Sequence, residues 1–248
     1  MGDQQSAAYG RGLGVGGAGA LNYGTGAFFL LHTGPILRRV PGLLTSVAWR
    51  KKNEAADFFL EGTVHAAGSS LQWLKALGLL KNAKDVDKAC AQAGHRVWAL
   101  ASIGGLGAPR WDYRTPAAII GLQAKTRAAD IVRGVVESTA FLLADIVQAA
   151  RACGLSAPAL TASGGLAKSN ALLQFQADIL QQPIKRLKES EATALGAAAM
   201  AAEAAGLSWT ANLASGAVDR EFLPALDAES AQNLRKAWTR FVEGQQAL

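Results

Sequence analysis

The sequence predicts an α/β protein whose mixed sheet joins an antiparallel meander to parallel strands, with helices on both faces. Two observations support this prediction. Half of the 248 residues are hydrophobic, which is enough to bury a substantial core. The first strand-like segments form an antiparallel group, and later segments alternate between helix and strand. That order is typical of a mixed sheet covered on both sides.

The chain begins with a predicted helix at 6–9, which Asp3 can cap because a carboxylate accepts backbone N–H bonds. A polar residue near a strand-to-helix switch is also where α/β folds place reacting groups. A glycine-rich connection follows at 10–19. The turn at 24–26 precedes an apolar strand at 28–32, and it can aim the Thr25 hydroxyl and N–H groups at an anionic oxygen. A plain hairpin is the alternative.

The next segment predicts a strand at 42–49, which completes a three-stranded antiparallel meander with 28–32 as its second strand. A helix is predicted at 58–77. Gly68 and Gln72 lie four residues apart and would share one face of it. A glycine inside a helix costs about 1 kcal/mol relative to alanine. Close approach of a ligand or of another backbone would explain Gly68, and simple packing would explain it equally well.

The second half predicts alternating helices and strands. Gly164 and Gly165 form a turn between a predicted strand and a predicted helix. This order presents backbone N–H groups at the start of the helix, as nucleotide-binding folds do. A turn with a purely structural role is the alternative. The predicted elements are a short exposed helix at 82–94, a strand at 97–101, a helix at 130–153, a strand at 159–162, a helix at 170–180, a strand at 184–187, and helices at 192–206 and 232–242.

The net charge of +6 is moderate, and it gives little reason to expect a nucleic-acid partner. A basic cluster without interleaved aromatic residues favours a solvated face. The cluster comprises Arg38, Arg39, Arg50, Lys51 and Lys52.

Two cysteines, Cys90 and Cys153, are too few for a disulfide scaffold, and their spacing disfavours zinc. We expect both to be buried thiols. No signal peptide and no membrane span are predicted, so we expect a cytoplasmic location. The histidines show no metal-ligand spacing, so no metal site is predicted.

Several motifs occur in the order found in the C-terminal domain of FGGY-family carbohydrate kinases, and together they resemble that domain over almost the whole chain. Gly-Asp-Gln-Gln at 2–5 is similar to the motif of the glycerol kinases within the family. The other matching stretches are 23–26, 60–74, 105–109, 164–165, 174–180, 193–198, 220–224 and 236–238.

The resemblance implies an actin-like, ribonuclease-H-type ATPase fold, with 1–248 forming the nucleotide-binding C-terminal domain. It implies transfer of the γ-phosphoryl group of ATP to glycerol, with Mg²⁺. Asp3 matches the general base, Gln4 a substrate contact, and Thr25 a contact to the transferring phosphate. The residues that match the nucleotide pocket are Gly68, Gln72, Gly165 and Ser169.

Three positions depart from the family pattern. Ser163 stands where an aspartate is usual, Ser169 where an asparagine contacts adenine, and Asn22 where a threonine is usual. The first two put adenosine affinity or base preference in question.

The family's N-terminal domain has no counterpart in this sequence. In the family it carries the first phosphate loop, the Mg²⁺-binding acid and most polyol contacts. We therefore expect a glycerol or similar polyol substrate, ATP or ADP as nucleotide, and the N-terminal kinase half or a second copy of this chain as partners. We expect little activity from the chain alone. A kinase for another polyol or sugar and a non-catalytic nucleotide-binding remnant are the alternatives.

Overall fold

The computed structural model describes residues 2–13, 17–51, 53–188, 192–207 and 218–247, with the side chains of Asp3 and Ala192 outside the description. The α-helices are α1 (Asp3–Gly10), α2 (Gly68–Ala76), α3 (Val86–Gln92), α4 (Ala128–Ala152), α5 (Asn170–Leu180), α6 (Ala192–Ala204) and α7 (Ala228–Gln246). The strands are β1 (Gly19–Tyr23), β2 (Ala27–Gly34), β3 (Leu44–Arg50), β4 (Ala56–Val64), β5 (Trp98–Leu100), β6 (Ala118–Ile120), β7 (Leu160–Ser163), β8 (Ile184–Leu187) and β9 (Val218–Phe222).

Within the described ranges, seven strands form one mixed sheet in the order β3-β4-β2-β1-β7-β8-β9. The first four are antiparallel neighbours. β1, β7 and β8 are parallel, and β9 returns antiparallel. The predicted mixed sheet of antiparallel and parallel strands is confirmed. Because β1 joins the two groups, the turn after it lies where the sheet changes from one pattern to the other.

Alternation along the strands separates two hydrophobic clusters, one on each face of the sheet. Leu21, Phe29 and Leu60 point toward α4 and belong to the larger cluster. Leu30 and Phe59 point the other way and pack with α1 and α6. Both faces are therefore covered by helices, as the sequence predicts.

The helix predicted at 58–77 is wrong in its first half. That part is strand β4, which pairs with β2 on one side and β3 on the other. Position 62 of this strand requires a glycine, because a Cβ there would lie 2.2 Å from the Ile146 side chain of α4. The helix α2 begins only at Gly68. The cross-strand pairing, which a helical periodicity does not reveal, decides the conformation of 56–64.

The predicted meander is antiparallel, but its strand order is wrong. β2 pairs with β4, and β3 lies at the edge of the sheet. β5 leaves the main sheet and pairs with β6, which has no counterpart in the predicted elements. β9 was also missed, since its exposed, charged residues give no strand alternation.

Helix α1 begins at Asp3, with Gly2 in the cap position. The prediction that Asp3 is the capping residue is therefore wrong in position, and its side chain lies outside the described residues. Cys153 is exposed and Cys90 is half-buried, so the expectation of two buried thiols is also wrong. Cys153 follows the last residue of α4 and lies outside the apolar stripe of that helix.

The basic cluster is a solvated face where it is described. The side chains of Arg38, Arg39, Arg50 and Lys51 are exposed. Lys52 lies outside the described residues. In the part of the chain that the structure describes, no helix combines the length and the apolar character that a membrane span requires.

Candidate functional site

A cleft of about 560 Å³ opens between the turn after β1, helices α2 and α3, and the segment that leads into α5. Segments from three distant parts of the sequence form its walls. Five of the predicted site residues line it, namely Thr25, Gly68, Gln72, Gly165 and Ser169. Gln72 follows Gly68 by four residues on the exposed side of α2, as the helix periodicity predicts.

The turn between β1 and β2 forms one end of the cleft and is tied to the start of α2. The Gly24 N–H donates to the Gly26 carbonyl at 2.8 Å. Gly68 N–H donates to the Gly24 carbonyl at 3.0 Å, and Ser69 N–H to the Thr25 carbonyl at 3.1 Å. The first backbone N–H groups of α2 are therefore bonded to the turn, and they hold the turn rigidly against the start of the helix. The Thr25 side chain remains exposed.

Gly68 is required by this packing. A Cβ at Gly68 would lie 2.6 Å from the Gly24 carbonyl oxygen, which is closer than real Cβ contacts come. The same crowding applies at Gly26, where a Cβ would meet the Val64 carbonyl oxygen at 2.7 Å. Of the two explanations for Gly68 that the sequence leaves open, the close approach of another backbone is the one observed.

Gly164 and Gly165 follow β7 and have different roles. Gly164 has a φ of 96°, and a Cβ there would lie 2.4 Å from the Tyr23 carbonyl oxygen. A Cβ at Gly165 would meet nothing within 4 Å. Gly164 thus fits the strand end against the turn, whereas Gly165 leaves open space in the wall of the cleft.

Ser169 caps α5 and has no hydroxyl hydrogen left for a ligand. Its Oγ accepts from the Leu172 N–H at 3.1 Å and donates to Asp87 Oδ1 at 2.5 Å. Asp87, on α3, also accepts from the N–H groups of Asn170 at 2.9 Å and Ala171 at 3.1 Å. The carboxylate therefore completes the helix N-terminus from a neighbouring element, as the orphan amides and the helix dipole favour.

Sequence reasoning missed Asp87 and the cations of the cleft. Lys75, Lys84 and Lys168 line it, and all three are exposed. An acidic residue in the first turn of α3 signals only local capping, and scattered lysines signal only a solvated surface. Their convergence depends on how α2, α3 and α5 pack, which no local pattern encodes.

Two of the departures from the family pattern are neighbours in the sheet. Asn22 of β1 and Ser163 of β7 are register partners in the parallel pair. Ser163 lies immediately before Gly164, and Asn22 lies two residues before Gly24, so both are close to the turns that border the cleft. The two substitutions therefore change one location in the structure.

Asp3 and Gln4 lie on α1, and Gln4 does not line the cleft. Helix α1 is attached to α6 through the Ser6 Oγ, which donates to the Thr193 carbonyl at 2.7 Å. A Cβ at Gly196 of α6 would lie 1.8 Å from the Ser6 carbonyl oxygen, so the two helices cross in close contact. The structure thus separates the predicted substrate residues from the predicted nucleotide residues.

A polar network fastens the other end of α1. The Tyr9 hydroxyl donates to Glu203 at 2.6 Å, and Lys51 lies 2.9 Å from the same carboxylate. The hydrogen bond from Tyr9 lowers the pKa of Glu203, and the contact with Glu203 raises the pKa of Lys51 to about 12. Both groups are charged at neutral pH, and they connect α1, α6 and the end of β3.

The described residues contain no cluster of metal-ligating side chains. Among them, no group of three or more histidine, cysteine, aspartate or glutamate side chains lies close enough together to hold a metal ion. Asp87, the carboxylate that lines the cleft, is engaged by three donors of Ser169, Asn170 and Ala171. A metal ion that is held by protein side chains alone therefore has no ligand set among the described residues.

Residues 19–205 match the C-terminal domain of the FGGY family of carbohydrate kinases. The chain belongs to this family. A glycerol kinase from Alkaliphilus oremlandii (strain OhILAs) is 38% identical over 248 residues, covering 97% of this chain and 49% of that protein. The chain spans about half the length of the curated relatives it matches.

Solved structures of FGGY kinases have the same fold. Plasmodium falciparum glycerol kinase with ADP is 30% identical, with a TM-score of 0.91 over 99% of this chain and 50% of that one. The xylulose kinase from Rhodospirillum rubrum is 19% identical, with a TM-score of 0.85 over 100% of this chain and 51% of that one, and shows likeness of fold alone. The predicted actin-like class of α/β fold is confirmed.

Proposed function

We propose that this FGGY domain is the nucleotide-binding half of an ATP-dependent glycerol kinase, which makes glycerol 3-phosphate and has negligible activity without the N-terminal domain. One observation carries the proposal. Thr25, Gly68, Gln72, Gly165 and Ser169, which come from three distant parts of the sequence, line a single cleft. Its volume of about 560 Å³ suits a nucleotide-sized ligand. The glycerol kinase relatives support the choice of reaction.

In this proposal, the turn at Thr25 and the open wall at Gly165 receive the phosphate groups. The turn is bonded to α2 before any ligand arrives, so little reorganisation is needed on binding. Gln72 and Ser169 lie along the nucleoside part of the cleft. Phosphoryl transfer depends mainly on positioning and charge stabilisation, and a prearranged turn supplies the first of these.

Asp3 is the proposed general base, and Gln4 the proposed contact to the polyol. Asp3 would take the proton of the terminal hydroxyl of glycerol while that oxygen attacks the γ-phosphorus and the bond to the β-phosphate oxygen breaks. Because Gln4 lies outside the cleft, we propose that a second domain brings the polyol and the γ-phosphate together. Mg²⁺ is assigned to that domain too, as the resemblance to the family implies.

The proposal includes a cytoplasmic location, because ATP is supplied there. Kinases for other polyols or sugars are the alternative, since most polyol contacts in the family belong to the other domain. A nucleotide-binding protein without catalysis is a second alternative, which the paired substitutions at Asn22 and Ser163 favour because they lie beside the cleft.

The first test is calorimetric titration of the chain with ATP and with ADP, in the presence and absence of glycerol. We expect weak binding of both nucleotides. Glycerol should change the affinity little, because its site is incomplete. No heat of binding with any nucleotide would contradict the proposed cleft, and rapid glycerol-dependent ADP release by the chain alone would contradict the need for a second half.

The second test supplies the missing half as a separate chain, taken from the part of the Alkaliphilus oremlandii relative that precedes the match. We expect glycerol-dependent ADP formation to appear and Asp3→Asn to abolish it. Glu229→Gln is a matched control, because it also removes one charge from the first turn of a helix, at the start of α7. Nucleotide binding without restored activity for any polyol would favour the non-catalytic alternative.

A further inference from the structure

The residues that line the cleft differ in chemistry. Gly68 and the backbone of the turn at Gly24 form the part at the start of α2, which runs along the cleft as far as Lys75. Ser169 and Asp87, which are bonded to each other, line the part that we call the Ser169 end. If the phosphates occupy the turn and the nucleoside lies along the Ser169 end, Asp87 can meet the base.

At that end the hydrogen-bonding groups can be accounted for. The Ser169 hydroxyl donates its hydrogen to Asp87, so none is left for a base. Gln72 and Lys84 are exposed side chains without a hydrogen bond inside the described part of the chain. Gln72 can serve as donor or acceptor, and lysine only as donor. Asp87 is the carboxylate on this wall.

Asp87 has acceptor capacity left after it has capped α5. A carboxylate offers about four lone-pair positions. Oδ1 accepts from the Ser169 hydroxyl and the Ala171 N–H, whereas Oδ2 accepts from the Asn170 N–H. One position on Oδ2 therefore remains. The three existing bonds hold the carboxylate in place and keep it from rotating away from a ligand.

We propose that Asp87 determines the base specificity of the nucleotide site by accepting a hydrogen bond from an N–H donor on the base, such as the 6-amino group of adenine. The inference rests on the proposed function. A fixed acceptor favours a base that presents a donor and leaves a base without one poorly matched. Hydrogen bonds to charged groups are stronger than those between neutral groups, so the discrimination should be measurable even in a half-open cleft.

The experiment compares the affinities of ATP and of purine riboside 5′-triphosphate, which lacks the 6-amino group, by calorimetric titration of the chain. We expect the wild type to prefer ATP by about tenfold. Asp87→Ala should bring the ratio of the two affinities to about one. A ratio that stays near tenfold in this variant, or a wild-type ratio near one, overturns the inference.

Two further variants keep the test decisive. Asp87→Asn keeps one oxygen that can accept from the Ser169 hydroxyl and the Ala171 N–H, but it places a donor opposite the Asn170 N–H. It should also lose the preference, and it should lower the thermal midpoint by less than Asp87→Ala does. Asp87→Asn therefore decides the outcome if Asp87→Ala does not fold. Asp85→Asn removes the same charge two residues away and should keep the preference, because Asp85 does not line the cleft.

The same titrations distinguish a failure of the role of Asp87 from a failure of the proposed function. If the wild type binds neither triphosphate, the proposed function fails and the inference fails with it. If it binds both equally well, the nucleotide cleft is supported and the role of Asp87 is rejected.

Discussion

The Tyr23 hydroxyl donates a hydrogen bond to Gln176 Oε1 at 2.9 Å, and both side chains are fully buried. Gln176 in turn donates to the Ala140 carbonyl of α4 at 3.1 Å. Tyr23 directly precedes the turn that ends at Gly26, and Gln176 lies in α5. The bond therefore connects the strand that leads into the turn of the cleft with α5 through the core of the domain.

Tyr23→Phe should destabilise the domain by about 1–3 kcal/mol, because the buried Gln176 oxygen loses its donor. Urea unfolding monitored by circular dichroism measures this change. If the bond also positions the turn, Tyr23→Phe should bind ADP more weakly than the wild type does. Its affinity for adenosine, which lacks phosphates, should not change. Equal losses for ADP and adenosine would show a general structural effect and contradict the positioning role.

Gly164→Ala should destabilise the domain strongly, because the new Cβ would lie 2.4 Å from the Tyr23 carbonyl oxygen and φ is 96°. Gly165→Ala is the matched control, since its Cβ would have no neighbour within 4 Å. We expect Gly165→Ala to keep its thermal midpoint and to lose nucleotide affinity, because the methyl group enters the cleft. Similar thermal midpoints for the two variants would contradict this assignment of the glycine pair.

Asp130 should make the stability of the domain depend on pH in acid. Its buried carboxylate accepts from the N–H groups of Arg127, Gly94 and His95, and these bonds, Arg127 first, lower its pKa to about 2. Because the folded pKa lies below the unfolded value of about 3.9, the stabilisation is complete above pH 4 and is lost as the pH falls toward 2.

The corresponding variant is Asp130→Asn, which should be less stable than the wild type at neutral pH. Urea unfolding at several pH values should show this difference shrinking between pH 4 and pH 2. Glu243→Gln, at an exposed position of α7, should keep the wild-type pH profile. A difference between Asp130→Asn and wild type that is constant with pH would contradict the lowered pKa of Asp130.

The two cysteines should differ in reactivity. Burial raises the pKa of the Cys90 thiol to about 12, so very little of the reactive thiolate exists near neutral pH. Cys153 is exposed. Iodoacetamide at about pH 8 should therefore alkylate Cys153 first, as measured by mass spectrometry of peptides. The Cys153→Ser variant, which retains only Cys90, should stay almost unlabelled while it is folded and should be labelled once it is unfolded. Rapid labelling of Cys90 in the folded variant would contradict the burial of that thiol.

Much of the fold was predictable because local signals agree with the tertiary structure. Helix α5 and strand β8 were predicted with their observed bounds, and α4 within two residues at its start. The helix prediction is wrong over 58–64 because the strand conformation of that segment depends on pairing with β2 and β3. The pairing of β5 with β6 was missed for the same reason, since strand partners are not encoded locally.

Sequence alone determined the mixed α/β class, the antiparallel and parallel groups of strands, and, through motif order, membership of the FGGY family. Through the same resemblance it singled out Thr25, Gly68, Gln72, Gly165 and Ser169 as candidate site residues. The fold class rests on local periodicity, and the candidate residues rest on short motifs, both of which a sequence records directly.

The tertiary structure alone decided that these residues share one cleft. It also showed that Asp87 lines the cleft and that the Ser169 hydroxyl takes part in a helix cap. Gly164 is closely packed, whereas Gly165 faces open space. All of these depend on contacts between segments far apart in the chain. Only the packing of α2, α3 and α5 around the turn at Gly24 sets those distances, because no local propensity carries information about which distant groups will meet.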